Sequence, residues 1–280
     1  MKATGNNARL TVLVENTARD DTLSAEHGLA FWLELGPQRV LFDTGQSDML
    51  CENADRLGID LAATDAIVLS HGHYDHTGGL AAVLAKTGRV KAFAHPAALE
   101  AKYARNTDGT GRDIGMPARC KDALQETADI ILTEQPTQVA DGLYLTGTVP
   151  RHTDFEDTGG PFFKDPQCRR PDALPDDQAA FLDTPRGLLV LLGCAHAGIV
   201  NTLRYISALQ PKRPIHTLIG GTHLVGAGRN RMDKTVAALR KMQIQRLMPL
   251  HCTGAPAAAR LGKAFLGRVS SCPVGTVIEL

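Results

Sequence analysis

Residues 66–80 read AIVLSHGHYDHTGGL, an apolar strand pattern that runs straight into His71, His73, Asp75 and His76. This places four potential metal ligands in one turn, and imidazole nitrogens with a carboxylate suit zinc and similar divalent ions. Gly72, Gly78 and Gly79 are expected to let the backbone fold tightly enough for these side chains to converge. The chemistry this loop suggests is a two-metal hydrolytic centre.

Four ligands on one short loop cannot enclose two ions, so further His, Asp or Cys residues must arrive from later strands. His196 in LLGCAHAG, His223 in LIGGTHL and His251 in LMPLHCTG each follow an apolar run. Asp43 ends the run RVLF in the same manner. Positions of this kind belong to loops along one edge of a sheet.

In this order the motifs resemble the metallo-β-lactamase superfamily, whose HxHxDH signature is matched by His71, His73, Asp75 and His76. The resemblance spans nearly the whole chain, from the LFDTG strand end to His251. Within the superfamily, VENT (14–17), EHGLAFWLE (26–34), DTGQS (43–47), GCAHAGIVNTL (193–203), GGTHL (220–224) and HCTG (251–254) resemble one subgroup. This subgroup is the 7,8-dihydropterin-6-methyl-4-(β-D-ribofuranosyl)aminobenzene 5'-phosphate synthase-like proteins. The resemblance implies an α/β fold, a four-layer αββα sandwich.

Composition fits a globular enzyme. The chain has 280 residues, 43% of them hydrophobic, enough to bury a substantial core. A single domain spanning 1–280 is expected. Thirty basic and 30 acidic residues give a formal net charge of zero, so nothing favours nucleic acid or an anionic membrane as partner. The N-terminal MKATGNNARL lacks an apolar signal region, and no stretch approaches the roughly 20 apolar residues that span a bilayer. Six cysteines without a CxxC pair read as reduced thiols, and a cytoplasmic location is the expectation. The sequence is silent on oligomeric state.

Apolar periodicity predicts strands at 9–15, 29–35, 39–43, 66–70, 143–149, 179–183, 187–193, 216–220 and 245–250. Helices are expected near 47–57, 76–86, 198–209 and 233–242. Two stretches break this pattern, 104–118 (ARNTDGTGRDIGMPA) and 151–178 (RHTDFEDTGGPFFKDPQCRRPDALPDDQ), and neither reads as a core element. The second is long and proline-rich, and it is expected either to cover the metals as a lid or to be a flexible solvated insertion.

His71 and His73, two apart, can face one side of an extended segment and share a first ion. Asp75 and His76 then serve a second, which the family arrangement completes with His251. For the third imidazole of the first ion, His196 is preferred and His152 in VPRHTDFE is the rival. Cys194 reads as a small buried residue at a strand end, with a bridging thiolate as the alternative. By resemblance to phosphodiesterase-like members, His223 is a candidate general acid, with a structural role as the alternative. Asp43 is expected to orient a ligand histidine rather than to take part in catalysis.

Glu26 and His27 are placed near the pocket by resemblance, or else form a polar turn. Phe155, Phe162 and Phe163 are candidates to stack on a flat ring, and Arg169 and Arg170 to bind a phosphate. GTGR and IGGT carry no nucleotide-binding motif, and there is no GxSxG elbow.

The expected function is a binuclear metal-dependent hydrolase activating a metal-bridging water, acting on a phosphate-bearing or pterin-like small molecule. Zinc leads by ligand softness, with iron and manganese as alternatives. The subgroup name implies instead a transferase joining a dihydropterin diphosphate to a ribofuranosylaminobenzene phosphate. A non-catalytic metal or ligand sensor is the reading from a different class.

Overall fold

The structure is a computed structural model that describes residues 8–280. Two large sheets lie face to face. The first has seven strands in the spatial order Val277–Glu279, Ala8–Val14, Ala30–Leu35, Gln38–Phe42, Ala66–Val68, Lys91–Ala94 and Asp129–Leu132. The second has six, in the order Arg246–Leu250, Ile215–Gly221, Gly187–Leu192, Ala179–Thr184, Leu143–Leu145 and Thr137–Ala140.

Side-chain alternation assigns each strand residue to a layer. Leu10, Phe31, Leu33, Val40 and Phe42 meet Leu182, Leu189, Leu191, Ile219 and Met248 between the sheets. The alternate residues Leu13, Trp32, Leu41 and Ile67 face outward onto Leu50, Leu80, Leu84 and Leu124 of helices Met49–Arg56, Leu80–Thr87 and Ala118–Thr127. On the far side, Leu188, Val190, Leu218 and Leu247 pack against Leu203, Ile206, Leu239 and Leu261 of helices Ile199–Leu209, Arg229–Lys241 and Ala255–Ala264. Three apolar interfaces separate four layers, which is the αββα sandwich. It explains why GLLVLL is apolar without alternation, since the strand is covered on both faces.

The topology of each sheet positions the site. Gln38–Phe42, Ala66–Val68, Lys91–Ala94 and Asp129–Leu132 run parallel in one sheet. Gly187–Leu192, Ile215–Gly221 and Arg246–Leu250 run parallel in the other. The carboxyl ends of these strands carry Asp43, Ser70–His71, Cys194–His196, His223 and His251. Asp43, Ala195, His223 and His251 have φ of 58°, 55°, 44° and 48°, left-handed backbone that occurs disproportionately where side chains are aimed at a functional site.

The two stretches without apolar periodicity are ordered, contrary to the reading of 151–178 as a flexible insertion. Tyr103–Arg105, Gly111–Asp113 and Phe162–Phe163 form a third, three-stranded sheet, in which Tyr103–Arg105 is central. Strands of two or three residues are too short to show a period. The long helix expected at 76–86 is broken into Tyr74–Thr77 and Leu80–Thr87. Gly78 at the break allows close approach rather than a tight turn, because an added Cβ would lie 2.0 Å from the Gln46 carbonyl oxygen. The strand expected at 143–149 ends at Leu145. No described helix is long and apolar enough to cross a membrane.

Candidate metal centre

The turn SHGHYDH stays compact because Gly72 sits against Ala98, whose carbonyl oxygen would lie 2.2 Å from an added Cβ. Asp43 is fully buried and organises the turn. Its carboxylate accepts the Ser70 amide at 2.7 Å, the Ser70 hydroxyl at 2.7 Å and Nδ1–H of His76 at 2.7 Å. Since the Ser70 hydroxyl donates to Asp43, it accepts from His71 Nδ1 at 2.9 Å. One carboxylate thereby fixes the orientation of two imidazole rings and aims Nε2 of each inward.

The same arrangement recurs with other partners. His196 Nδ1–H donates to the Thr158 carbonyl at 2.8 Å, and His251 Nδ1–H to Asn16 Oδ1 at 3.0 Å. The Nε2 of His196 is buried without a hydrogen-bond partner. His71 Nε2 and His73 Nδ1 are 3.0 Å apart, and ligand atoms of His71, His73 and His196 lie within 4.8 Å of one another. His76 Nε2 is 3.3 Å from His251 Nε2, which is 3.3 Å from Asp75 Oδ2. Cys194 Sγ is 3.2 Å from His76 Nε2 and falls into ligand groups with His71 and His76 on one side and His251 and Cys252 on the other.

A divalent cation fits this donor set. Neighbouring ligands in a tetrahedron with bonds of about 2.0–2.1 Å stand roughly 3.3 Å apart, close to the separations found. Burial, then the neighbouring imidazoles, hold His71 and His196 well below the ordinary histidine pKa, and burial brings His73 to about 3. These rings are neutral and offer lone pairs, the state that binds metal. Burial alone would raise the Asp75 carboxyl, but His76, His251 and His27 around it hold it well below the usual carboxylate range. Burial opposes protonation of His76 as well, yet the Asp43 and Asp75 carboxylates outweigh it and raise the ring to about 9.

These residues open into a cavity of about 360 Å³. Phe162 lies over it, its ring centroid 5.2 Å from those of His73 and His196 and 6.1 Å from that of His223. The ring of His223 stands 4.4 Å from that of His196, and its Nδ1 has no partner. Burial pushes His223 down to about 4, so in the protein alone it is neutral at pH 7. His27 also lines the cavity, 3.2 Å from Asp75 Oδ2.

Several sequence-predicted residues lie elsewhere. His152 is exposed, and its place is fixed by its amide on Asn201 Oδ1 at 2.9 Å, so its ring does not join the cluster. Arg169 and Arg170 are exposed and do not line the cavity, because Asp165 holds their amides at the far end of the loop. Phe163 is turned away under Arg105, and Phe155 packs under Lys234. Glu26 accepts the Gln46 and Ser47 amides and shapes the DTGQS turn rather than the cavity.

Other supporting residues carry no motif. Glu15 accepts the His251 amide at 2.9 Å, Asp176 the Gly72 amide at 2.8 Å and Asp177 the Ala197 amide at 2.8 Å. Only the VENT resemblance hinted at the first of these.

Comparison with known proteins places this geometry. A family profile described as the β-lactamase superfamily domain matches residues 38–167. An uncharacterized protein of Methanocaldococcus jannaschii is 35% identical over 257 residues, 91% of this chain and 94% of its own. A protein of the same organism named 7,8-dihydropterin-6-methyl-4-(β-D-ribofuranosyl)-aminobenzene-5'-phosphate synthase is 26% identical over 289 residues, 98% of this chain and 97% of its own. A crystal structure described as a metal-dependent hydrolase of the β-lactamase superfamily is 30% identical, with a TM-score of 0.85 over 98% of this chain and 99% of that one.

Proposed function

This chain belongs to the metallo-β-lactamase superfamily, and on that premise we propose that it is a binuclear, zinc-dependent hydrolase of a phosphate-bearing or pterin-like small molecule. A first ion would be held by His71, His73 and His196, and a second by Asp75, His76 and His251, with Cys194 between them. The observation that carries this reading is the outward tie on four rings. Nδ1 of His71, His76, His196 and His251 is bound to Ser70, Asp43, Thr158 and Asn16, and each Nε2 is left for the centre. Divalent ions there would supply Lewis acidity and lower the pKa of water.

The chain's own groups do the rest. Among the described residues Asp75 is the only carboxylate lining the cavity, so it offsets positive charge there and faces the substrate. His223 holds a neutral ring beside the cluster, its Nδ1 buried against Gly159. It can take a proton directly, and a developing anion next to it would raise its pKa toward the range of a general acid. Phe162 keeps bulk water off the histidines. A second reading, a transferase acting on a pterin, is favoured by the relative named as a synthase, which aligns over nearly the full length of both chains.

Metal content by mass spectrometry and hydrolysis of activated phosphodiesters test the proposal together. About two equivalents of metal are expected in the wild type and in His152→Ala, and fewer in His196→Ala. Asp75→Ala is expected to fold and to lose turnover by about 100-fold or more. Metal-free protein under every condition, or full turnover in Asp75→Ala, would refute it, whereas a biological output unchanged in Asp75→Ala would favour a sensor.

A further inference from the structure

We infer that Arg112 binds a remote anionic group of the substrate, and that the substrate is an elongated molecule with a flat or apolar body between that group and the reacting centre. This rests on the reading of the cavity as the substrate site. The argument starts from register. In the small sheet Phe162 is paired with Ala104, and Ala104 with Arg112. Directly paired residues project from the same face of a sheet, and all three line the cavity. Ile114, two residues after Arg112 along the same chain direction, lines it as well.

The row is graded. At one end the Phe162 ring touches the metal-site histidines His73 and His196. Ala104 in the middle is small and leaves room. Arg112 at the other end is two strand spacings from Phe162, about 10 Å. It is the only Lys or Arg lining the cavity, it is exposed, and it has no ion-pair or hydrogen-bond partner among the described residues. Arg105, on the central strand, is already committed to the Phe163 ring and the Cys168 carbonyl.

The backbone under Arg112 is tied to the metal loop. The Ile114 amide donates to the Lys102 carbonyl at 2.9 Å, and the Ile114 carbonyl accepts the Tyr74 amide at 3.0 Å, one residue before Asp75. His73 and Gly115 form a further β-bridge. A guanidinium held at a set distance from the metal loop reads ligand length as well as charge. Its planar donors suit a carboxylate or a phosphate monoester.

The test uses two non-hydrolysable methylphosphinates, with both substituents joined to phosphorus by P–C bonds, one with a biphenyl arm and one with a 4'-carboxybiphenyl arm, whose carboxylate lies about two strand spacings from phosphorus. Binding to metal-loaded protein is followed by calorimetry, and turnover with the matching p-nitrophenyl phosphodiesters. The wild type is expected to bind the carboxylate arm about five- to tenfold more tightly, as a partly exposed charge-assisted bond allows. The ratio should fall to near one in Arg112→Ala, recover in part in Arg112→Lys and invert in Arg112→Glu, with metal content unchanged. An Arg112-dependent ratio without turnover leaves this inference standing and removes the hydrolase reading. Turnover with the same ratio in wild type and Arg112→Ala does the reverse. No measurable binding of either phosphinate to the wild type overturns the inference as well.

Discussion

At the scale of single residues, Asp43 decides how the histidines present themselves. It sits in left-handed backbone, a conformation asparagine tolerates nearly as well, so Asp43→Asn removes the charge and one acceptor while keeping the turn. The lost support of His76 and of the Ser70–His71 relay is expected to weaken metal binding by about 10- to 100-fold, read by competition with a chromophoric chelator. Ser70→Ala should cost less, because only His71 depends on it. An unchanged affinity in Asp43→Asn would show that the rings orient themselves without it. The inward-facing rings were legible in the sequence because each ligand either shares one turn or ends an apolar run. Their anchors were not. Asn16 lies 235 positions from His251, Thr158 lies 38 from His196, and the latter acts through its carbonyl, which any residue type provides.

At the scale of elements, most predicted strands and helices lie within a few residues of those found, whereas Lys91–Ala94, Ala118–Thr127, Asp129–Leu132, Thr137–Ala140, Ala255–Ala264 and the short strands of the roof, the small sheet and loop 151–178 over the cavity, were not read. The roof is held by buried charge rather than by an apolar stripe, and a charge-rich stretch reads as solvated. Lys102 is 1% exposed and donates to Asp172 at 3.1 Å and to Asp176 at 2.8 Å. Asp176 in turn accepts the Gly72 amide between the two histidines of the turn. Lys102→Met would leave two carboxylates buried without their cation, and a loss of about 3–5 kcal/mol is expected in urea unfolding. Adding Asp172→Asn should restore part of it, since fewer uncompensated charges then remain. A loss below about 1 kcal/mol would show that water reaches these carboxylates and that the roof is held mainly by its β pairing.

At the scale of the whole molecule, two sheets bring the carboxyl ends of their parallel strands together and bury a cluster of histidines there. The consequence is a pH dependence with two limbs in the metal-free protein. His73 at about 3 and His223 at about 4 are depressed from 6.5, so the unfolded chain takes up protons first. Their contribution to stability is complete above about pH 6.5 and is lost as the pH falls from there through 4 and 3. His76, raised to about 9, acts in the opposite sense. Its contribution is complete below about pH 6.5 and is lost as the pH rises through 9. Thermal unfolding in EDTA is therefore expected to give a maximum between the two limbs, near pH 6.5. Divalent metal should stabilise the fold most on the alkaline side, where the ligands carry fewest competing protons, adding about 2.7 kcal/mol to the unfolding free energy at a free concentration 100 times Kd and raising the melting temperature accordingly. A melting temperature that responds to neither EDTA nor pH between 4 and 9 would mean that the buried histidines share their protons without strain, and the case for a metal at this edge would fail.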